Sequence, residues 1–191
     1  MKVTIPGDTS DFTLGQIQEW LKGEQTPERA VRMFAKGKFE DIPESAIDQL
    51  GIEIIKAINS DKGRFTPVFR IGRKLYGFHP DLQSITTGEI ADIDTYSEDY
   101  VQNLHKTLAV LCRPISRYWL GKYRIKGYDG DKPSFEKRAE EMKKLSWDKV
   151  IGIGFFLETL ERDCLSSLAK SSVQEIQKEL HLVVSGGGTE H

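Results

Sequence analysis

The sequence predicts a mainly α fold of the α+β class: a helical domain of about six to eight helices with one small β-hairpin or short antiparallel sheet. Three observations predict it. Helix-start chemistry recurs ahead of stretches whose apolar residues repeat at intervals of three and four. A β-rich composition is concentrated in one place, FTPVFRIGRKLYGF, around a Gly-Arg pair. An apolar fraction of 38% with 29% charged residues, over 191 residues, suits one core under a polar surface. Residues 1–184 are read as a single globular domain and residues 185–191, SGGGTEH, as a flexible tail.

The elements follow in order. KVTIP suits a short strand or an extended arm. Thr13 and Gln16 have capping-box spacing, and Leu14, Ile17, Trp20 and Leu21 follow at helical intervals. Thr26-Pro27-Glu28 is a second start: Thr26 caps, Pro27 takes the first helical position and Glu28 complements the dipole. Ala30, Val31 and Phe34 form its buried face, and Gly37 ends it. A third helix begins near Pro43 and carries Ala46, Ile47, Leu50, Ile54, Ile55 and Ile58. Residues 65–71 and 74–78 then read as a hairpin across Gly72-Arg73, a pair that suits a type II′ turn. Pro67 places the first of these strands at a sheet edge. A lone hairpin is marginal in water, so a further strand is expected, from KVTIP or residues 123–128. Residues 101–112 form a helix with Val101, Leu104, Leu108, Leu111 and Cys112 on one face, stopped by Pro114. Residues 133–145 form a charged helix. Ser146 caps the next, whose apolar positions run from Trp147 through Phe155 to Leu168, with Val173, Ile176 and Leu180 extending the pattern.

A formal charge of −2 gives no global drive toward nucleic acid or anionic membranes. The longest apolar run, residues 150–157, is far short of the roughly 20 residues that span a bilayer. Cys112 and Cys164 are far apart in apolar contexts, as buried thiols are. Together with an N-terminus that lacks a secretory pattern, this predicts a protein of a reducing cytoplasm.

The distribution of charge is less ordinary. Between Leu75 and His105 there is no lysine or arginine, but Asp81, Glu89, Asp92, Asp94, Glu98 and Asp99 all occur. From Tyr100 to Tyr128 there is no acid, but Lys106, Arg113, Arg117, Lys122, Arg124 and Lys126. Such blocks are solvated faces, pair with each other, or meet partners.

As a metal-dependent enzyme site, the acids at 89–99 (Asp92, Asp94 and Glu98 foremost) lack the spacing of a calcium loop, and His79 and His105 form no ligand pair on a helix. Local structure accounts for most of them. Thr86 and Glu89 form a capping box, Ile85 and Ile90 have hydrophobic-staple spacing, and Asp94 or Ser97 caps the following helix.

The basic-aromatic run 117–128 offers Tyr118, Trp119, Tyr123 and Tyr128 for stacking on bases, with cations for phosphates. The same residues alternate as a half-buried strand does, and nothing else makes the chain basic, so nucleic acid is not the expected partner. Gly152-Ile153-Gly154 lacks the third glycine of a dinucleotide fingerprint and suits close helix packing instead. The aromatic stripe after Trp147 is read as core, with exposure to a partner helix as the alternative.

Three pieces in order, ITTGEIADIDTY, NLHKTLAVLCRPI and YRIKGYDG, followed by FFLETLERDC, resemble small helical proteins encoded near the tail genes of tailed bacteriophages. These are tail assembly chaperones or base-plate assembly proteins. The resemblance covers residues 82–164 and rests on a capping box and an amphipathic helix ended by Arg-Pro. It implies a non-enzymatic protein of the host cytoplasm or the virion, without catalytic residues, cofactor or metal. Its implied partners are other phage tail proteins, such as the tape-measure chain, or copies of itself. The residues expected to meet partners are Glu89, Asp92 and Asp94 of the acidic block, Arg113, Arg117, Trp119, Lys122 and Arg124 of the basic one, and Phe155 and Phe156.

Overall fold

A computed structural model describes residues 3–37, 42–60, 62–128 and 132–160. The chain divides into two compact units, residues 1–153 and residues 154–191. The described part of the second, residues 154–160, is helical. The predicted elements beyond residue 160, with Cys164 and the glycine-rich tail, lie outside the described residues.

The first unit opens with three helices, α1 (Leu14–Leu21), α2 (Pro27–Phe34) and α3 (Glu44–Ile58). Their starts are the predicted ones. The Thr13 hydroxyl accepts from the Gln16 N–H while the Gln16 side-chain Oε1 accepts from the Thr13 N–H, closing a capping box. Thr26 caps α2 ahead of Pro27. That helix ends at Phe34, ahead of the predicted glycine stop. A helix leaves its first N–H groups without internal partners, and here distant carbonyls take two of them. Leu14 N–H donates to Leu145 O and Gly15 N–H to Lys143 O, each at 2.8 Å. Phe12, Ile17, Trp20, Ala30, Val31, Phe34, Ile54, Ala57 and Ile58 form the core between the three helices. The backbones of α2 and α3 touch: a Cβ on Gly51 would lie 2.2 Å from Pro27 O, so only glycine fits there.

The sheet is antiparallel with order β1-β2-β3-β4: β1 (Val68–Ile71), β2 (Lys74–Phe78), β3 (Cys112–Trp119) and β4 (Lys122–Ile125). Gly72 has φ +57° while Arg73 stays out of the left-handed region, as a II′ turn requires. Pro67 precedes edge strand β1, and its carbonyl accepts from the Phe78 N–H. The partner of this hairpin corrects the sequence reading. Of KVTIP, the described residues Val3 to Pro6 stay out of the sheet, and Thr4 forms an isolated bridge with Lys36. Residues 122–125 do join, but beyond an intervening strand, β3, whose start at Cys112 overlaps the end of the predicted helix and whose end falls in the basic-aromatic run expected to be a strand.

Pro114 explains the oversight. Locally it is a helix stop, yet it lies inside β3, opposite Tyr76. A proline lacks the N–H of an interior strand, but its carbonyl still accepts from Lys126 N–H at 2.9 Å. The register shifts between Ile115 and Arg117, just past it, which is where a bulge relaxes the ladder.

Between β2 and β3 lie α4 (Thr87–Ser97) and α5 (Tyr100–Leu111), which leads straight into β3 at Cys112. The Thr86–Glu89 capping box forms. Ile90, however, is exposed, so the predicted staple buries nothing there. The cap of α5 is Asp99, accepting from Gln102 N–H, rather than Asp94 or Ser97, because α4 runs on through both. Gln18 of α1 donates to Val101 O and Gln102 O, tying α1 to the first turn of α5. Helix α6 (Lys132–Met142) buries Phe135, Arg138, Ala139 and Met142 despite its charged composition. Residues 147–153 are helical, with Gly152 so close to the Arg64–Phe65 backbone that a Cβ would lie 2.4 Å from Arg64 C. Close packing was the predicted role of this glycine. Gly154 has no neighbour that a Cβ would meet.

Candidate docking surface

Among the described residues, a buried ion pair joins the acidic and basic blocks inside the first unit. Glu89, in the first turn of α4, and Arg113, second residue of β3, pair at 2.8 Å with side chains 3% and 5% exposed. Burial would raise the Glu89 pKa. The N–H and hydroxyl of Thr86, with the Arg113 charge, outweigh that and hold the carboxyl below its usual range. His79 is buried beside them, and burial followed by the Arg113 charge lowers its pKa. Asp92 accepts a hydrogen bond from Tyr128, whose ring lies 5.9 Å from the guanidinium carbons of both Arg113 and Arg138. Glu89 and Arg113, expected on a partner-binding surface, are therefore internal: they fasten α4 to the sheet. Asp92 is half-buried and Asp94 exposed.

The hairpin of β3 and β4 does the opposite. Its turn, Leu120-Gly121, has φ +48° and +76°. Positive φ at both positions is the type I′ pattern, whose twist matches that of the strands. Asparagine and glycine favour it, whereas leucine in the left-handed region costs roughly 1–2 kcal/mol. This strained leucine is also 85% exposed, and Trp119 beside it 69%. Tyr118 is exposed as well. Around them Arg117, Lys122 and Arg124 are exposed, and with Trp119, Leu120 and Tyr123 they line a recess of about 460 Å³. Like charges face each other there, because Arg117 is the cross-strand partner of Arg124.

Comparisons with protein-family models, with curated proteins and with solved structures each returned no match.

Of the aromatics considered for stacking, Tyr118 and Trp119 are free to do so. Tyr123 is not: its hydroxyl donates to Phe78 O at 2.8 Å, and its ring lies where a Cβ on Gly77 would stand. Tyr128 is held among Asp92, Arg113, Phe135 and Arg138. In the second unit Phe155 is exposed and Phe156 half-buried. Leu120 is not among the sequence-predicted site residues. Its signal is a residue-Gly pair between two alternating segments, with the glycine second where Gly72-Arg73 has it first.

Among the described residues, no three His, Cys, Asp or Glu side chains are grouped to hold a metal ion, and no helix is long and apolar enough to cross a membrane. Cys112 is fully buried, and burial pushes its thiol pKa up, away from the reactive thiolate.

The turn supplies a direct test. Leu120→Asn is expected to raise the free energy of unfolding by about 1 kcal/mol, by relieving the left-handed leucine. Urea unfolding reads this as a higher midpoint at unchanged slope. An unchanged or lower midpoint would show that Leu120 is held by contacts worth more than the strain.

Proposed function

We propose that this chain is a non-enzymatic assembly protein that works by protein–protein contact through the tip of the β3–β4 hairpin. The carrying observation is the Trp119–Leu120 tip, apolar and exposed at the end of a strained turn. Unrelieved strain at an exposed residue suits a site kept for binding rather than for stability. Trp, Tyr and Arg are the residues that dominate binding energy in protein interfaces, and Arg117, Tyr118 and Trp119 supply all three in a row. The setting proposed, from the resemblance of residues 82–164, is construction of a bacteriophage tail or base plate. The partner is then a tail component such as the tape-measure chain.

Co-expression with the neighbouring tail proteins, followed by affinity capture, tests this. Trp119→Ala is expected to weaken capture of a specific tail protein by at least tenfold, as loss of a hot-spot aromatic does, without moving the unfolding midpoint. Capture equal to the unsubstituted protein would remove the hairpin from the interface.

A second reading is favoured by one observation. Lys122, Arg124 and Lys126 lie at alternate positions, so exposed cations recur about every 6.7 Å along the strand, near the phosphate spacing of an extended single strand. Single-stranded nucleic acid would then bind with an affinity that falls steeply with salt, and neutralising these three residues would flatten that slope.

A further inference from the structure

The exposed cations of the hairpin have a counterpart elsewhere on the first unit. Ile90, Asp94 and Glu98 follow at i, i+4 and i+8 along α4 and across its C-cap, and all three are exposed. Asp99, Tyr100 and Val101, at the α4–α5 turn, are exposed next to them. This patch repeats the design of the hairpin with the sign reversed: exposed apolar residues (Ile90, Tyr100, Val101) amid charge of one sign. Among the described residues no ion pair joins Asp94, Glu98 or Asp99 to a cation, or Arg117, Lys122, Arg124 or Lys126 to a carboxylate. The internal meeting of the two blocks is Glu89 with Arg113, and it leaves these outer charges unused.

Resting on the reading of the hairpin as a docking surface, we infer that its occupant is the α4–α5 turn of a second copy of this chain. Trp119 and Leu120 cover Ile90, Tyr100 and Val101, while Arg117, Lys122 and Arg124, on the same face of the hairpin as Trp119, meet Asp94, Glu98 and Asp99. Two hairpins do not dock on each other, because that contact would set cations against cations. The contact is therefore heterologous: each copy offers a hairpin to one neighbour and an acidic turn to the other. Such contacts propagate into a ring or a filament rather than stopping at a two-fold dimer.

Light scattering on the full chain at low and high salt tests this, with two variants that each disable one face. Lys122→Glu/Arg124→Glu blocks the hairpin, and Asp94→Ala/Glu98→Ala blocks the turn. The unsubstituted protein is expected to grow beyond a dimer with concentration at low salt and to shrink at high salt. Each variant alone is expected to stay monomeric. Mixed, they retain one native interface, from the hairpin of the second to the turn of the first, and should stop at a one-to-one dimer.

An unsubstituted protein that stays monomeric to its solubility limit overturns the inference, as does an oligomer that survives in both variants. If the chain is monomeric but Trp119→Ala still abolishes capture of a tail protein, self-docking fails and the proposed function stands. If it self-associates as described while Trp119→Ala leaves that capture intact, the inference stands and the assembly role of the hairpin fails.

Discussion

Arg113→Ala is expected to lower the free energy of unfolding by about 3–5 kcal/mol, the usual effect of removing one partner from a buried ion pair. The loss is large because Glu89 stays behind. Its carboxylate is buried at the start of α4, and the hydrogen bonds from Thr86 replace only part of what the guanidinium supplied. Against a typical total stability of about 5–15 kcal/mol, this leaves a marginal protein. The test that separates the charge from the packing is the double variant Glu89→Leu/Arg113→Met, which removes both charges and keeps apolar volume. It is expected to recover most of the loss, since replacing a whole buried pair by apolar residues is often neutral or better. A double variant as unstable as the single one would mean that Arg113 acts through its ring contact with Tyr128 and its packing.

The same site contributes to the response to acid, and the signs follow from the shifts. Glu89 has a folded pKa below its unfolded one, so its stabilisation is full above the unfolded value and is lost as the pH falls through the folded one. His79 and His105 are also depressed, chiefly by burial. For a histidine this means that the unfolded chain takes up protons first. Stability therefore begins to fall as the pH drops below about 6.5, and again in the carboxylate range where Glu89 and Glu141 are protonated. Urea midpoints measured from pH 7 to pH 3 should show both falls, and Glu89→Leu/Arg113→Met should keep less of the second.

Local chemistry in the sequence located most of the helices, because capping boxes and apolar spacing act within a few residues. Thr13 with Gln16, Thr26 with Pro27, and Thr86 with Glu89 all mark real starts. What depends on distant partners was not legible. In the sequence Glu89 reads as a capping-box acid of a charged block, and only the fold brings Arg113 to it. Pro114 carries a strong local signal against an interior strand, and a tertiary pairing with Tyr76 overrides it. Gly51 shows no sign in the sequence that α2 lies against it. On the docking surface, Trp119, Lys122 and Arg124 were legible as a basic-aromatic strand. That the strand ends in an exposed turn, with Leu120 at its tip, needed both strands in register.

Trp20→Ala is expected to cost about 3–5 kcal/mol, through a different part of the first unit. Trp20 is buried where α1 meets α2, edge-on to Phe34 with ring centroids 5.8 Å apart, and Phe34 is in turn edge-on to Phe12 at 5.1 Å. Truncation opens a cavity that these rings fill only partly. It also strips the face from Arg29, whose guanidinium lies 5.1 Å from the indole centroid. Arg29 donates to the carbonyls of Glu19, Trp20 and Glu24, so it closes the C-terminal end of α1, and its geometry depends on that ring. Trp20→Phe should keep more of the packing and cost less. Trp20 and Arg113 share no hydrogen bond, ion pair or ring contact among those described, so losses from milder substitutions at the two sites should add within about 0.5 kcal/mol. Additive losses with coincident transitions by fluorescence and circular dichroism would show that the three-helix core and the sheet unfold as one cooperative body. Two separated transitions, with Trp20→Phe moving one and Glu89→Leu/Arg113→Met the other, would show instead that the helices and the sheet fold independently.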